Sequence, residues 1–470
     1  MPSGSRRPLV AKCLVMEPHD ALAPLRAFRD SLYECFDRRA DALFELADAL
    51  LTAGTFPSPA HLSLESPHRR GWGSLYAALS RGRIDEDAMR KLVARQPLDA
   101  GHRSPVYAVD ASVWSRCDAE SSPERGYYYH PSRHSAGQPI VAGWAYQWVA
   151  QLGFERDSWV APMDARRLHP AENANEVAAE QVQALLGRLP DQDEEVPLFV
   201  FDAGYDPVQL QQKLGTYRTQ ILVRLRVGRC FYADPSGPSA RTGRPRRHGH
   251  KVDTKDPDTW PEPSAEHRCE HPGYGSVCVR VWAGLHPKTQ EHPTRGTRRP
   301  RPILRGTLVL VEVSRLPHPT REPRMLWLWW SGPDRSGPDR SAPDLDLLWR
   351  AYVRRFDLEH TFRFLKQELG WTTPRVRHPE QADLWTWLVL LVFTQLRLAR
   401  PWVADRRLPW ERRYSSGHLT PVRVRRAVSV LLVALGTPAK PPKPCGRSPG
   451  RPKGRRSGRA KRYPAVKKAA

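Results

Sequence analysis

Two short apolar runs constrain this chain more than any other feature, because each carries an aspartate where a strand would be buried. Val106 to Trp114 reads VYAVDASVW, and Pro197 to Tyr205 reads PLFVFDAGY. Such runs, rich in β-branched and aromatic residues and bounded by turn formers, read as strands covered on both faces. Aspartate fits a strand poorly and is costly to bury unless it is paired or binds a metal, so Asp110 and Asp202 need a reason. After Asp202, Gly204 permits a tight turn and Asp206-Pro207 opens a helix running to Leu214. A carboxylate at the end of a buried strand, just before a helix, is where α/β sheets place reactive groups.

A third acid lies on a long amphipathic segment, Asp346 to Gly370, which contains no proline and reads as one helix closed by Gly370. Tyr352, Arg355, Glu359 and Lys366 stand at offsets 0, 3, 7 and 14, which at about 100° per residue places them within an arc of about 60°. Leu347, Leu358, Phe362, Leu365 and Leu369 fall on the neighbouring arc, so the helix packs by one edge and offers the polar stripe beside it. Taken alone, that stripe also describes a solvated face with intrahelical ion pairs.

The order Tyr-x2-Arg-x3-Glu-x6-Lys at Tyr352, Arg355, Glu359 and Lys366, with DAGY after the second strand, resembles the signature of the insertion-sequence-four family of DDE transposases. The resemblance implies an α/β fold with a ribonuclease-H-like catalytic core, interrupted by a β-rich insertion and preceded by an N-terminal helical domain. It implies that Asp110, Asp202 and Glu359 are catalytic and hold Mg²⁺, for which Mn²⁺ can substitute, and that Tyr352, Arg355 and Lys366 contact DNA. The reaction would be two-metal cleavage of insertion-sequence ends and joining of the 3′-hydroxyl to target DNA, by a homodimer assembled on DNA ends. A metal-dependent nuclease on the same fold, or a DNA-binding protein derived from a transposase, would share some of these features.

The rest of the chain can be placed around that frame. Residues 1–100 read as helical, with apolar residues at 25, 28, 32, 36, 43 and 50, and His68, Arg69 and Arg70 form a basic patch that could meet DNA. Residues 101–215 and 336–435 form the two parts of the core, and 216–335 the insertion, whose strand-like stretches are Ile221 to Val227, Ser276 to Trp282, Ile303 to Val313 and Met325 to Trp330. Residues 331–344 carry a tandem Pro-, Gly- and Ser-rich repeat, a flexible lead into the helix. Residues 436–470 form a basic tail, expected to be disordered.

Net charge is +24 and the pI near 10.1, which points to double-stranded DNA or another polyanion as partner. The stretch from Ala439 to Ala470 holds twelve Lys and Arg and no acid, half of that charge, so the body is basic as well. The Gly-Arg-Pro cores at 243–247 and 450–455 are similar to AT-hooks, and equally to generic phosphate-binding loops. Seven scattered cysteines suggest no disulfide framework and fit a reducing, cytoplasmic, nucleoid-associated setting in a bacterium. His267, Cys269, His271 and Cys278 have metal-ligand side chains, but their spacing is not a standard zinc pattern. The apolar run Leu384 to Phe393 is about half the length a membrane span needs and reads as a buried helix, so no membrane partner is expected.

Overall fold

The computed structural model describes residues 21–467 apart from 100–103, 130–139, 156, 191–194, 237–245, 289–302, 318–324, 334–342, 416–417, 445–449, 451 and 455–457. The tandem repeat and the Gly-Arg-Pro segment at 243–247 fall largely outside the described residues, and the one at 450–455 in part.

The first aspartate run forms β1 (Val106–Ser115) and the second β5 (Leu198–Phe201). Between them come β2 (Gly126–Tyr129), β3 (Ile140–Leu152) and β4 (Val160–Leu168), and after them β6 (Gln220–Arg224). β4, β3 and β1 are antiparallel neighbours, and β5 and β6 then continue the sheet parallel to β1. The spatial order β4-β3-β1-β5-β6 is that of a ribonuclease-H-like core.

Alternate residues of these strands enter two separate cores, which is why the runs are apolar throughout rather than alternating. Tyr107, Val109, Phe199, Phe201, Ile221 and Val223 face α5 (Ala174–Leu186) and α6 (Pro207–Leu214). Val106, Ala108, Leu198, Val200 and Leu222 face the opposite side, where most of the helices lie. Asp206 caps α6 by accepting from the Val208 and Gln209 amides at 2.8 and 3.2 Å.

The helical side gathers both ends of the chain. It contains α1 (Ala23–Glu34), α2 (Ala40–Thr52), α3 (Trp72–Arg81) and α4 (Glu86–Ala94) from the N-terminal region. From the C-terminal region come α7 (Leu345–Arg354), α8 (Phe356–Gln367), α9 (Pro379–Ala399) and α10 (Pro421–Leu435). The expected rhythm holds: Leu25, Phe28, Leu32, Phe36, Leu43 and Leu50 are all buried. They share one continuous core with α9, rather than closing a core of their own. The Arg29 guanidinium crosses that junction, donating to Asp48 at 2.7 and 2.9 Å and to Gln395 of α9 at 2.8 Å. Helix α9 is long and apolar enough to cross a membrane, but 83% of its apolar window is buried inside the protein, as expected of a core helix.

The basic patch before α3 is committed inward. His68 is buried, Arg69 donates to Glu45 at 2.8 Å and to the Ala439 carbonyl at 2.7 Å, and Arg70 pairs with Glu45 and the Lys440 carbonyl. These pairings tie part of the patch to the fold, while Arg69 keeps 34% of its side chain exposed.

The insertion contributes β7 (Cys230–Tyr232), β8 (Lys251–Asp253), β9 (Ala265–His271), β10 (Gly275–Pro287), β11 (Gly306–Val313) and β12 (Met325–Ser331). It is not a detached body. β12 pairs antiparallel with β6, so one twelve-stranded sheet runs through core and insertion. β6, expected in the insertion, is instead a core strand, because its register follows β5 residue for residue. The described parts of the tail also differ from the expected disorder: the Tyr463 and Val466 amides donate to the Glu120 and Arg125 carbonyls, both at 2.7 Å.

Candidate active site

Strand register alone brings the two aspartates together. Val109 of β1 lies opposite Phe201 of β5, so Asp110 and Asp202 are the next residues along two adjacent parallel strands. Phe201 in turn lies opposite Val223 of β6, which places Arg224 beside Asp202. All three follow residues of the tightly covered α5–α6 face by one position, so their side chains turn to the other face, toward α7 and α8. Asp202 Oδ1 lies 3.9 Å from Arg224 Nη1.

The third acid arrives on a helix pair rather than on the single helix expected. The backbone ladder tightens at Arg355, whose amide is shared between the Ala351 and Tyr352 carbonyls at 3.1 and 3.3 Å, while Leu358 bonds back only three residues at 3.1 Å. This divides the segment into α7 and α8, so the offsets from Tyr352 to Lys366 do not project along one axis. Gly370 does close the segment, at φ +60°, where a side-chain carbon would come within 2.6 Å of Phe56.

At the break, the Arg355 guanidinium sits among all three acids. It lies 2.6 Å from Asp110 Oδ2, 2.8 Å from Glu359 Oε1 and 3.9 Å from Asp202 Oδ1. Its side chain is only 3% exposed, whereas Asp110 is 18%, Asp202 38% and Glu359 44% exposed, so the acids form a rim open to solvent over a buried cation. Burial pushes the Asp110 carboxyl up to about 6; Arg355 and the Ala111 amide, which donates at 2.8 Å, oppose this, while Glu359 and Asp202 add to it. Desolvation works against the charge on Arg355, but Asp110 and Asp202 outweigh it and hold the guanidinium firmly protonated.

Two stripe residues lie elsewhere than expected. Tyr352 is buried, so its ring is not placed to stack on a DNA strand from this position. Lys366 stands apart from the acids, with its ammonium 5.6 Å from the centre of the Trp371 ring, and burial pushes its pKa down to about 8. Arg355 was expected beside phosphates and is instead the hub of the carboxylates. Arg224 was not anticipated at all. Its signal was present in the sequence, since Ile-Leu-Val before Arg224 repeats the pattern of apolar residues before Asp110 and Asp202.

The donor set suits a hard divalent cation. Three carboxylates converge, and Asp202 Oδ1 is a buried oxygen without a hydrogen-bond partner among the described residues. Residues 31–273, slightly more than half of the sequence, match the family model described as DDE superfamily endonuclease. The chain belongs to the DDE superfamily endonucleases. The matched stretch holds Asp110 and Asp202 but ends before Glu359, which reaches this endonuclease's site through α8. Among solved structures, the DDE endonuclease is similar to a piggyBac transposase in a synaptic complex with hairpin DNA. The two are 12% identical with a TM-score of 0.40, over 93% of this chain and 85% of that one. No curated protein matches the chain.

Proposed function

We propose that this DDE endonuclease is a DNA transposase of the insertion-sequence-four type, which cleaves the ends of its element and joins the 3′-hydroxyl to target DNA. The observation that carries the reading is the convergence of Asp110 in β1, Asp202 just beyond β5 and Glu359 of α8 on one guanidinium. The complete Tyr352, Arg355, Glu359 and Lys366 spacing and the β insertion before Glu359 set it apart from a general nuclease.

Asp110, Asp202 and Glu359 would hold divalent ions, Mg²⁺ or Mn²⁺, which supply activation of water or a 3′-hydroxyl and stabilisation of the leaving oxygen. Asp110 is the least exposed of the three acids and would hold the ions together with Asp202 and Glu359. Its carboxylate must be ionised to do so, and Arg355 favours that form. Arg224, with a side chain 36% exposed, brings a guanidinium to the edge of the site, where it would offset the charge of a phosphodiester, while Arg355 balances the acids from beneath. The basic surface and tail would hold the duplex, and two copies would act as a homodimer on paired ends, in a bacterial cytoplasm.

The test is incubation of the purified protein with duplexes carrying its flanking inverted repeats, with and without Mg²⁺. Metal-dependent nicking at the element's 3′ ends, followed by strand transfer, is expected. Asp110→Asn, Asp202→Asn and Glu359→Gln should each abolish cleavage while DNA binding survives. Cleavage at the wild-type rate in any of them removes that residue from the site, and cleavage indifferent to the repeats favours a general nuclease.

A further inference from the structure

We propose that His267, Cys269 and Asp346 form a second metal site, for zinc, that pins the β insertion to the helix leading into the carboxylate site. It lies on different residues from the site at Asp110, Asp202 and Glu359. The donor atoms of His267, Cys269 and Asp346 all lie within 4.8 Å of one another. His267 and Cys269 are two apart on β9 and so share the face turned to α7, from whose first turn Asp346 projects.

Strand register also sorts the other candidate ligands. Cys278 lies opposite Arg268 and therefore on the far face of the ladder, away from the cluster. His271 shares the near face, but its Nδ1 accepts from the Gly273 amide at 3.1 Å and its ring packs edge-on against Trp349, 5.4 Å between centres. The sequence spacing gave no zinc pattern because the third ligand comes from another element, 77 residues beyond Cys269.

The cluster has an unmet requirement that an ion would satisfy. His267 Nε2 is buried and has no hydrogen-bond partner among the described residues, although it points at Asp346 Oδ1 from 3.6 Å. An imidazole nitrogen, a thiolate and a carboxylate are the usual donors of zinc, and the thiolate selects against Mg²⁺. All three residues are partly exposed, so water can complete a tetrahedron. Asp346 is already oriented, since Oδ1 accepts from Trp349 Nε1 at 3.2 Å and Arg350 Nε at 2.9 Å, as outer partners hold a ligating carboxylate. An ion here would fix β9 against α7, whose last residue precedes Arg355, and so steady the element that delivers Arg355 and Glu359.

The experiment is metal analysis of the full chain, followed by cobalt substitution. Wild type should retain about one zinc per chain through dialysis against a mild chelator. With Co²⁺ it should show a thiolate-to-metal charge-transfer band, and X-ray absorption should find one sulfur among the ligands. Cys269→Ser and His267→Gln should lower retained zinc by at least about tenfold, and Cys269→Ser should remove the charge-transfer band. Cys278→Ser and Asp110→Asn should keep both. A wild-type chain that retains no zinc, an absorption spectrum without sulfur, or equal loss in Cys278→Ser overturns the proposal. The sulfur count is read on wild type, so it decides the matter even if the ligand variants fail to fold.

Discussion

Arg355 is the residue on which the carboxylates depend, because it is the buried cation that all three share. Removing one partner of a buried charge cluster typically costs about 3–5 kcal/mol, since the remaining charges stay desolvated. Arg355→Ala should therefore lower the melting temperature sharply, and Mn²⁺ should recover part of the loss by replacing the missing positive charge. Melting with and without Mn²⁺ reads this, and a deficit indifferent to the ion would show that the acids do not share it. Asp110 makes a second prediction. Its carboxyl stands at about 6, above the unfolded value of about 3.9. The folded chain thus holds the proton more tightly, and in the absence of metal its stability falls as pH rises through that window. Ionisation is also what metal binding requires, so Mn²⁺ affinity should weaken about tenfold per pH unit below about 6. Titrations between pH 5 and 8 would expose a flat profile, the outcome that contradicts this. Lys366 separates two roles. Its pKa near 8 means that burial of the charge costs stability at neutral pH, a cost lifted as pH rises from about 8 to about 10.4. Lys366→Met should raise the melting temperature at pH 7. If Lys366 also holds a phosphate, the same variant should bind end DNA about ten- to a hundredfold more weakly, and unchanged affinity in a gel shift would leave it a packing residue.

At the scale of elements, what matters is how α8 is held against the sheet. Trp371 follows the Gly370 turn and wedges α8 between β3 and α9, with its ring 5.3 Å from Trp148 and 6.3 Å from Phe362, and its indole donating to Thr386 at 2.9 Å. Its carbonyl accepts from Trp385 at 2.9 Å. Truncating a buried aromatic of this kind costs about 3–5 kcal/mol. Trp371→Ala should thus lose that much in denaturant melts, and cleavage should fall further than stability alone explains because Glu359 moves with α8. Trp371→Phe, which keeps the ring contacts, should recover most of the activity. Activity lost in Trp371→Phe as fully as in Trp371→Ala would mean that the wedge does not position Glu359.

For the whole molecule, the basic tail contributes to the fold and, on the proposed function, would also bind polyanions. Lys440 accepts from Arg69 and Arg70 through its carbonyl, and Tyr463 and Val466 bond to the backbone beside β2. Truncation after Lys440 keeps the first contact and removes most of the cations. Each lost phosphate contact should reduce the salt slope of duplex binding by about 0.9 in log-log form. Non-specific affinity measured across salt concentrations should therefore become weaker and flatter, while preference for the element's own ends persists. Lost preference would make the tail a specificity element instead.

The sequence by itself determined the elements and the two aspartates borne by apolar strand runs, because both follow from local rules. Apolar runs of strand length around Asp110 and Asp202, the helical rhythm from Leu25 to Leu50 and the β-rich stretch before Glu359 all depend on near neighbours and on burial. Glu359 was singled out only by the resemblance of its surroundings to the transposase signature. Only the tertiary structure decided what surrounds those acids. A helical projection assumes one axis, and the break at Arg355 turned the guanidinium from a surface stripe into the buried centre of the site. Arg69 and Arg70 read as free cations until Glu45 and the carbonyls near Lys440, hundreds of residues away for the latter, took them up. Arg224 and the His267, Cys269 and Asp346 cluster were invisible for the same reason. Strand register and helix docking join residues far apart in the chain, and no periodicity along one segment records which residues on another will face it.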